Sequence, residues 1–162
     1  MNQTTPRMVL IIRHGEKPSD KGDPNLNAAG RLRAQMLAQR LPALYAISAL
    51  FAAAQSKDSN RSNETIQPLS DVIHVPVDDT FAADQQRALA EHILHDSPDL
   101  KDKIVLICWH HEKIPALAQN LDASPVPAFW PDSDFDSIWQ LQYSASGFAT
   151  LTVRKEPPVA PP

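Results

Sequence analysis

The sequence predicts an α/β fold, a three-layer α/β/α sandwich with a mainly parallel central sheet and an antiparallel hairpin at its C-terminal edge. Three observations predict it. Short apolar, β-rich runs alternate with stretches of helical periodicity. The run KIVLICW (103–109) is apolar without alternation, as in strands covered on both faces. The last two runs, SIWQLQY and FATLTV, do alternate, and the short segment SASG joins them.

Taken in order, MVLII (8–12) reads as a buried strand that runs out into a loop at Arg13, His14 and Gly15. Asn27 is a fitting N-cap for the next helix, in which Leu32, Met36, Leu37 and Leu41 share one face and arginines take the other. Pro42 is where that helix should stop. ISALFAAA (47–54) is the second strand, a polar stretch leads to a helix over ETIQPLSDV (64–72), and IHVPV (73–77) is a third short strand. AADQQRALAEHILHD (82–96) is spaced as an amphipathic helix, and a further helix begins near Pro115. The proline-rich segment SPVPAFWPDSD (124–134) is a loop before the closing hairpin.

Residues 1–155 are expected to form a single catalytic domain, and the Pro-rich tail 156–162 to be an extended, flexible end. With a net charge of −4, the chain lacks the basic surface that gripping nucleic acid requires, so any anion site must be local. No apolar run is long enough to cross a bilayer. The lone Cys108 lies inside an apolar strand and suits a small buried hydrophobe in a reducing, cytoplasmic setting.

In open α/β sheets ligands bind beyond the carboxyl ends of the strands. His14 follows the first strand, His110 and His111 follow KIVLICW, and Arg61 lies just beyond the second strand. Histidine and arginine therefore converge on one edge. RHGEK after a strand, LNAAGRLRA, SNRSNET, and a strand ending in histidine followed by IPAL together resemble the histidine phosphatase superfamily over about residues 8–121. The Arg-His-Gly triplet alone arises by chance in about one chain in a hundred of this length; its company makes the likeness specific.

The resemblance implies a phosphoglycerate mutase-like fold and a phosphatase that hydrolyses a phosphomonoester or phosphoramidate through a covalent phosphohistidine. His14 is then the nucleophile, Arg13 and Arg61 hold the phosphate, and a histidine of the His110–His111 pair completes the pocket with Gly15. His110 follows from counting back from IPAL; His111 stays as its alternate, because a one-residue shift in the strand end swaps their faces. Glu16, Trp109 and Glu112 are expected beside the pocket. The proton donor the resemblance implies is Asp79, after the third strand, with Glu112, just after the second histidine, as the alternative that another branch of the superfamily suggests; Asp78 and Asp79 could equally cap the helix near Ala82. The implied substrate is a phosphorylated small molecule or phosphoprotein, the product is inorganic phosphate, and neither metal nor cofactor is called for.

The chemistry asks for these residue types on its own account. A neutral imidazole attacks phosphorus through one nitrogen only if the other keeps its proton on a fixed acceptor, and a turn at Gly15 could supply that carbonyl. Guanidinium forks match the oxygens of a transferring phosphoryl group, and a second, protonated histidine would add a donor. A phosphoglycerate mutase-type transferase and a non-catalytic phosphate-binding module are the alternatives. A metal site on His110, His111 and Glu112 is disfavoured because neighbours on a strand end splay apart. His74, His92 and His95 receive no role.

Overall fold

The computed structural model describes residues 5–155; the expected tail at 156–162 lies outside the described residues. Strand β1 (Met8–Arg13) lies between β4 (Ile104–Trp109), to which it is parallel, and β6 (Ser137–Tyr143), to which it is antiparallel. β2 (Ile47–Ala52) and β3 (Val77–Asp78) continue the parallel half, and β7 (Ala149–Lys155) and β5 (Ala123–Ser124) complete the order β3-β2-β4-β1-β6-β7-β5. Among the described residues, β6 is the strand that runs against the rest. The hairpin lies one strand in from the edge, because the two-residue β5 pairs outside β7, and a strand that short leaves no alternation to read.

Strand alternation sorts the core into two layers. Val9 and Ile11 of β1 and Val105, Ile107 and Trp109 of β4 face one side, with Leu89 and Ile93 of α3 (Gln86–His95) and Leu117 of α4 (Ile114–Asn120). Leu10, Ile12, Leu106 and Cys108 face the other, with Leu37 and Leu41 of α1 (Ala28–Leu44) and Ile66 and Leu69 of α2 (Arg61–Ile73). Each of these side chains is almost wholly removed from water, so shortening one of the leucines or isoleucines to alanine would cost about 2–5 kcal/mol.

Several sequence expectations are corrected. Leu32 is 60% exposed; the buried stripe of α1 is Gly30, Ala34, Leu37, Ala38 and Leu41, in which small residues are invisible to a search for large apolar ones. Pro42 lies inside α1, which runs to Leu44. A proline forfeits one N–H bond but need not stop a helix that the core holds from below. The second strand ends at Ala52 rather than Ala54. The stretch 73–77 is not a strand: α2 continues to Ile73, His74 caps it in the left-handed region at φ 60°, and pairing is confined to Val77–Asp78. Asp78 and Asp79 are not helix caps, because α3 starts only at Gln86.

Candidate active site

The C-terminal ends of β1, β2 and β4 open at one edge of the sheet, where His14 lies within electrostatic reach of His110, Arg13 and Arg61. α1 presses directly on the loop after β1: Asn27 caps the helix by accepting from the Gly30 N–H at 2.8 Å, and an added Cβ on Gly30 would lie 2.7 Å from the Glu16 carbonyl oxygen. Thr65 fixes the same loop from α2, accepting from the Gly15 N–H at 2.8 Å while donating to the Arg61 carbonyl at 2.6 Å.

His14 is 2% exposed, and its Nδ1 lies 2.8 Å from the Gly15 carbonyl oxygen. A carbonyl can only accept, so Nδ1 carries the proton and Nε2 is the nitrogen with a free lone pair. Burial lowers the His14 pKa to about 3; the Gly15 hydrogen bond opposes this, and His110, Arg13 and Arg61 reinforce it. The ring is neutral at physiological pH. His110 meets it edge-on, with ring centroids 5.3 Å apart.

The structure separates the two adjacent histidines. His110 lies against His14, whereas His111 turns to the loop before β6, with Nε2 3.2 Å from Asp132 Oδ1. Burial lowers the His110 pKa, Glu112 opposes this, and Arg61 and Lys17 add to it. Burial thus favours a neutral His110 in the free protein. The cause is desolvation, which a motif does not display. Among the described residues, no three His, Cys, Asp or Glu side chains converge as metal ligands.

Both arginines are buried, Arg13 to 1% exposure and Arg61 to 8%. The Arg61 guanidinium donates to the carbonyls of Asn25 (Nε, 3.2 Å) and Asp23 (Nη2, 2.5 Å), which fastens the loop after β1 over the start of α2. Arg13 turns to the other face of the sheet edge. Its Nη1 donates to the carbonyls of Asp132 (2.5 Å) and Asp134 (3.3 Å), and its Cζ stacks 3.9 Å from the Phe135 ring centroid. That leaves the Nε–Nη2 edge. Among the described residues Nε is buried without a partner, and Nη2 lies 3.8 Å from Asp132 Oδ1. This edge is the planar fork that grips paired oxygens, as the Nε and Nη2 of Arg33 do on Glu16 at 2.7 and 3.1 Å.

Three residues expected at the pocket do other work. Gly15 commits its N–H to Thr65 and its carbonyl to His14, so it braces the site without a donor to spare. Glu16 is held by Arg33. Trp109 is 0% exposed and donates to the Ala83 carbonyl at 3.1 Å: as the last residue of β4 it faces the α3–α4 layer and forms no pocket wall. Glu112 is exposed, 3.1 Å from His111 Nδ1. Asp79 is also exposed and accepts from Asn63 Nδ2 at 2.8 Å, near the start of α2. Of the residues without assigned roles, His92 packs against Phe51 and Phe81, His74 caps α2 and His95 is exposed.

The sequence reading gave no part to Asp132, Phe135, Thr65, Lys17 or Ser62. Asp132 and Phe135 lie in an aperiodic loop that carries no motif. Thr65 sits four residues after Arg61, one helical turn on, a spacing that could have flagged it. Lys17, inside RHGEK, is within electrostatic reach of both His110 and His111. Ser62, beside Arg61, has a buried hydroxyl without a partner.

No family model and no curated protein matches the sequence. Solved structures do match. The protein histidine phosphatase SixA, in complex with tungstate, superposes with a TM-score of 0.63 at 16% identity, covering 91% of this chain and 96% of that one. A mycobacterial glucosyl-3-phosphoglycerate phosphatase with inorganic phosphate gives 0.61 at 16% identity, covering 93% and 96%. The phosphoglycerate mutase from Bacillus anthracis gives 0.63 at 13%, covering 94% and 95%. The fold is phosphoglycerate mutase-like. A phosphoglycerate mutase-like fold over nearly the whole of each partner agrees with the observed α/β layers, and among the described residues no helix is long and apolar enough to cross a membrane.

Proposed function

We propose that this chain is a histidine phosphatase in which His14 takes a phosphoryl group through Nε2 and water then releases it as inorganic phosphate. One observation carries the reading: a buried, neutral imidazole has its Nδ1 proton fixed on the Gly15 carbonyl at 2.8 Å, which leaves Nε2 as nucleophile. Support comes from Arg13, whose buried, partnerless Nε is a donor that an anion would satisfy. Two of the structures that share the fold hold tungstate or inorganic phosphate, both tetrahedral oxyanions.

In the first step Nε2 bonds to phosphorus and the bond from phosphorus to the leaving oxygen or nitrogen breaks. The Nε–Nη2 fork of Arg13, the remaining N–H groups of Arg61 and the ring of His110 meet the phosphoryl oxygens. A dianion beside His110 favours its protonated form, opposing the burial that keeps it neutral in the free protein. The leaving group departs with a proton, for which Asp79 is the proposed donor; a phosphoramidate nitrogen already protonated needs none. In the second step a water oxygen bonds to phosphorus, the N–P bond breaks, and the neutral imidazole returns. Neither step calls on a metal or cofactor.

The substrate we propose is a phosphorylated small molecule or phosphoprotein, met in the cytoplasm, where a lone thiol such as Cys108 stays reduced. The test is hydrolysis of phosphoramidate and an aryl phosphate by the wild type and by His14→Ala. Turnover in the wild type should fall by about a thousandfold or more in the variant. Equal turnover in the two would remove His14 from the mechanism. Vanadate binding without wild-type turnover would favour a phosphate-binding module instead.

A further inference from the structure

A cavity of about 510 Å³ opens beside His111, between the start of α4 and the loop before β6. Its walls are Pro115, Ala116, Phe129 and Trp130, with His111 and Glu112 at the rim toward the candidate phosphate site. Trp130 is packed away at 3% exposure, but Phe129 leaves 69% of its surface uncovered. The cleft is concave and of mixed character, with Gln119, His111 and Glu112 beside the apolar Phe129, and its volume falls in the range of about 300–1,000 Å³ found for small-molecule sites. His111 ties the cleft to the chemistry: its Nε2 is 3.2 Å from Asp132 Oδ1, and the same oxygen is 3.8 Å from Arg13 Nη2.

Resting on the function proposed above, we infer that this cleft binds the leaving-group half of the substrate and selects a phosphomonoester with an uncharged, aromatic-sized body. A phosphoryl group on the Arg13 fork places its leaving group toward His111 and the apolar walls. The carboxylates of Glu112 and Asp132 stand at that passage, so a leaving group carrying its own carboxylate meets two like charges. The cleft therefore disfavours acidic phosphates such as those a phosphoglycerate mutase handles.

The test compares kcat/KM for 1-naphthyl phosphate, phosphoramidate and phosphoglycolate in the wild type, Phe129→Ala, Ala116→Trp and Glu112→Gln. Phe129→Ala removes an exposed wall, Ala116→Trp fills the cleft from α4, and neither touches the sheet core. Each should lower the ratio of naphthyl phosphate to phosphoramidate by about tenfold, and Glu112→Gln should raise phosphoglycolate relative to naphthyl phosphate by several-fold. Ratios unmoved in both cleft variants, with phosphoramidate turnover intact and dependent on His14, would overturn the cleft alone. A wild type that hydrolyses neither phosphoramidate nor naphthyl phosphate would overturn the cleft together with the function on which it rests.

Discussion

The Thr65 hydroxyl joins α2 to the loop that carries His14, accepting from the Gly15 N–H at 2.8 Å while giving its own proton to the Arg61 carbonyl. Thr65 is 0% exposed, so bulk water cannot take its place. Thr65→Val keeps the shape but leaves the Gly15 N–H buried and unpaired, at a cost of about 1–3 kcal/mol. Denaturant unfolding should show that loss, kcat should fall with it, and Thr65→Ser should restore most of both. Undiminished stability in Thr65→Val would show that this bond does not hold the loop.

Gly30 should not tolerate a side chain. Alanine favours a helix over glycine by about 1 kcal/mol, yet a Cβ here would sit 2.7 Å from the Glu16 carbonyl oxygen and 2.9 Å from its nitrogen, both backbone atoms. The loop must move away, and Gly30→Ala should be destabilised by roughly 1–3 kcal/mol, with reduced turnover. A rise in the unfolding midpoint would contradict the close approach.

The acid limb of stability carries the signature of His14. Its folded pKa of about 3 lies below the unfolded value near 6.5, so between those values the unfolded chain binds the extra proton. The contribution of His14 is therefore full above about pH 6.5 and declines as the pH falls toward 3. Unfolding free energies of wild type and His14→Gln, measured from pH 8 to pH 4, should converge or cross by roughly 2–5 kcal/mol. A difference independent of pH would mean that the ring is not held neutral. His110, also depressed by burial, acts in the same direction.

The Asp132 carboxylate, 91% exposed, stands beside both Arg13 and His111 and competes with an incoming anion. Asp132→Asn should tighten vanadate inhibition by roughly two- to fivefold, the modest effect expected of an exposed charge. Weaker inhibition would give Asp132 a supporting role instead.

How much of this was legible beforehand depends on what each residue's neighbours supply. The strand ends were readable because apolar runs stop abruptly at Arg13 and Trp109, and the Asn27 cap because side-chain oxygens satisfy open helix starts. His110 was readable by counting back from IPAL, and it is His110 that meets His14; that strand alternation sends Trp109 into the core rather than beside the pocket was not read. The buried stripe of α1 was misjudged because Gly30, Ala34 and Ala38 carry little hydrophobic signal, although their smallness is what lets the helix touch the loop. The loop 130–136, which holds Arg13 by backbone carbonyls, has neither period nor motif, and main-chain acceptors leave no mark in a sequence.

The most direct test of the central claim is phosphate mapping after a rapid quench in alkali, following exposure to labelled phosphoramidate. Acid-labile, alkali-stable phosphate on His14, absent from His14→Gln, is the expected result. Label on another residue, or full turnover in His14→Gln, would contradict it.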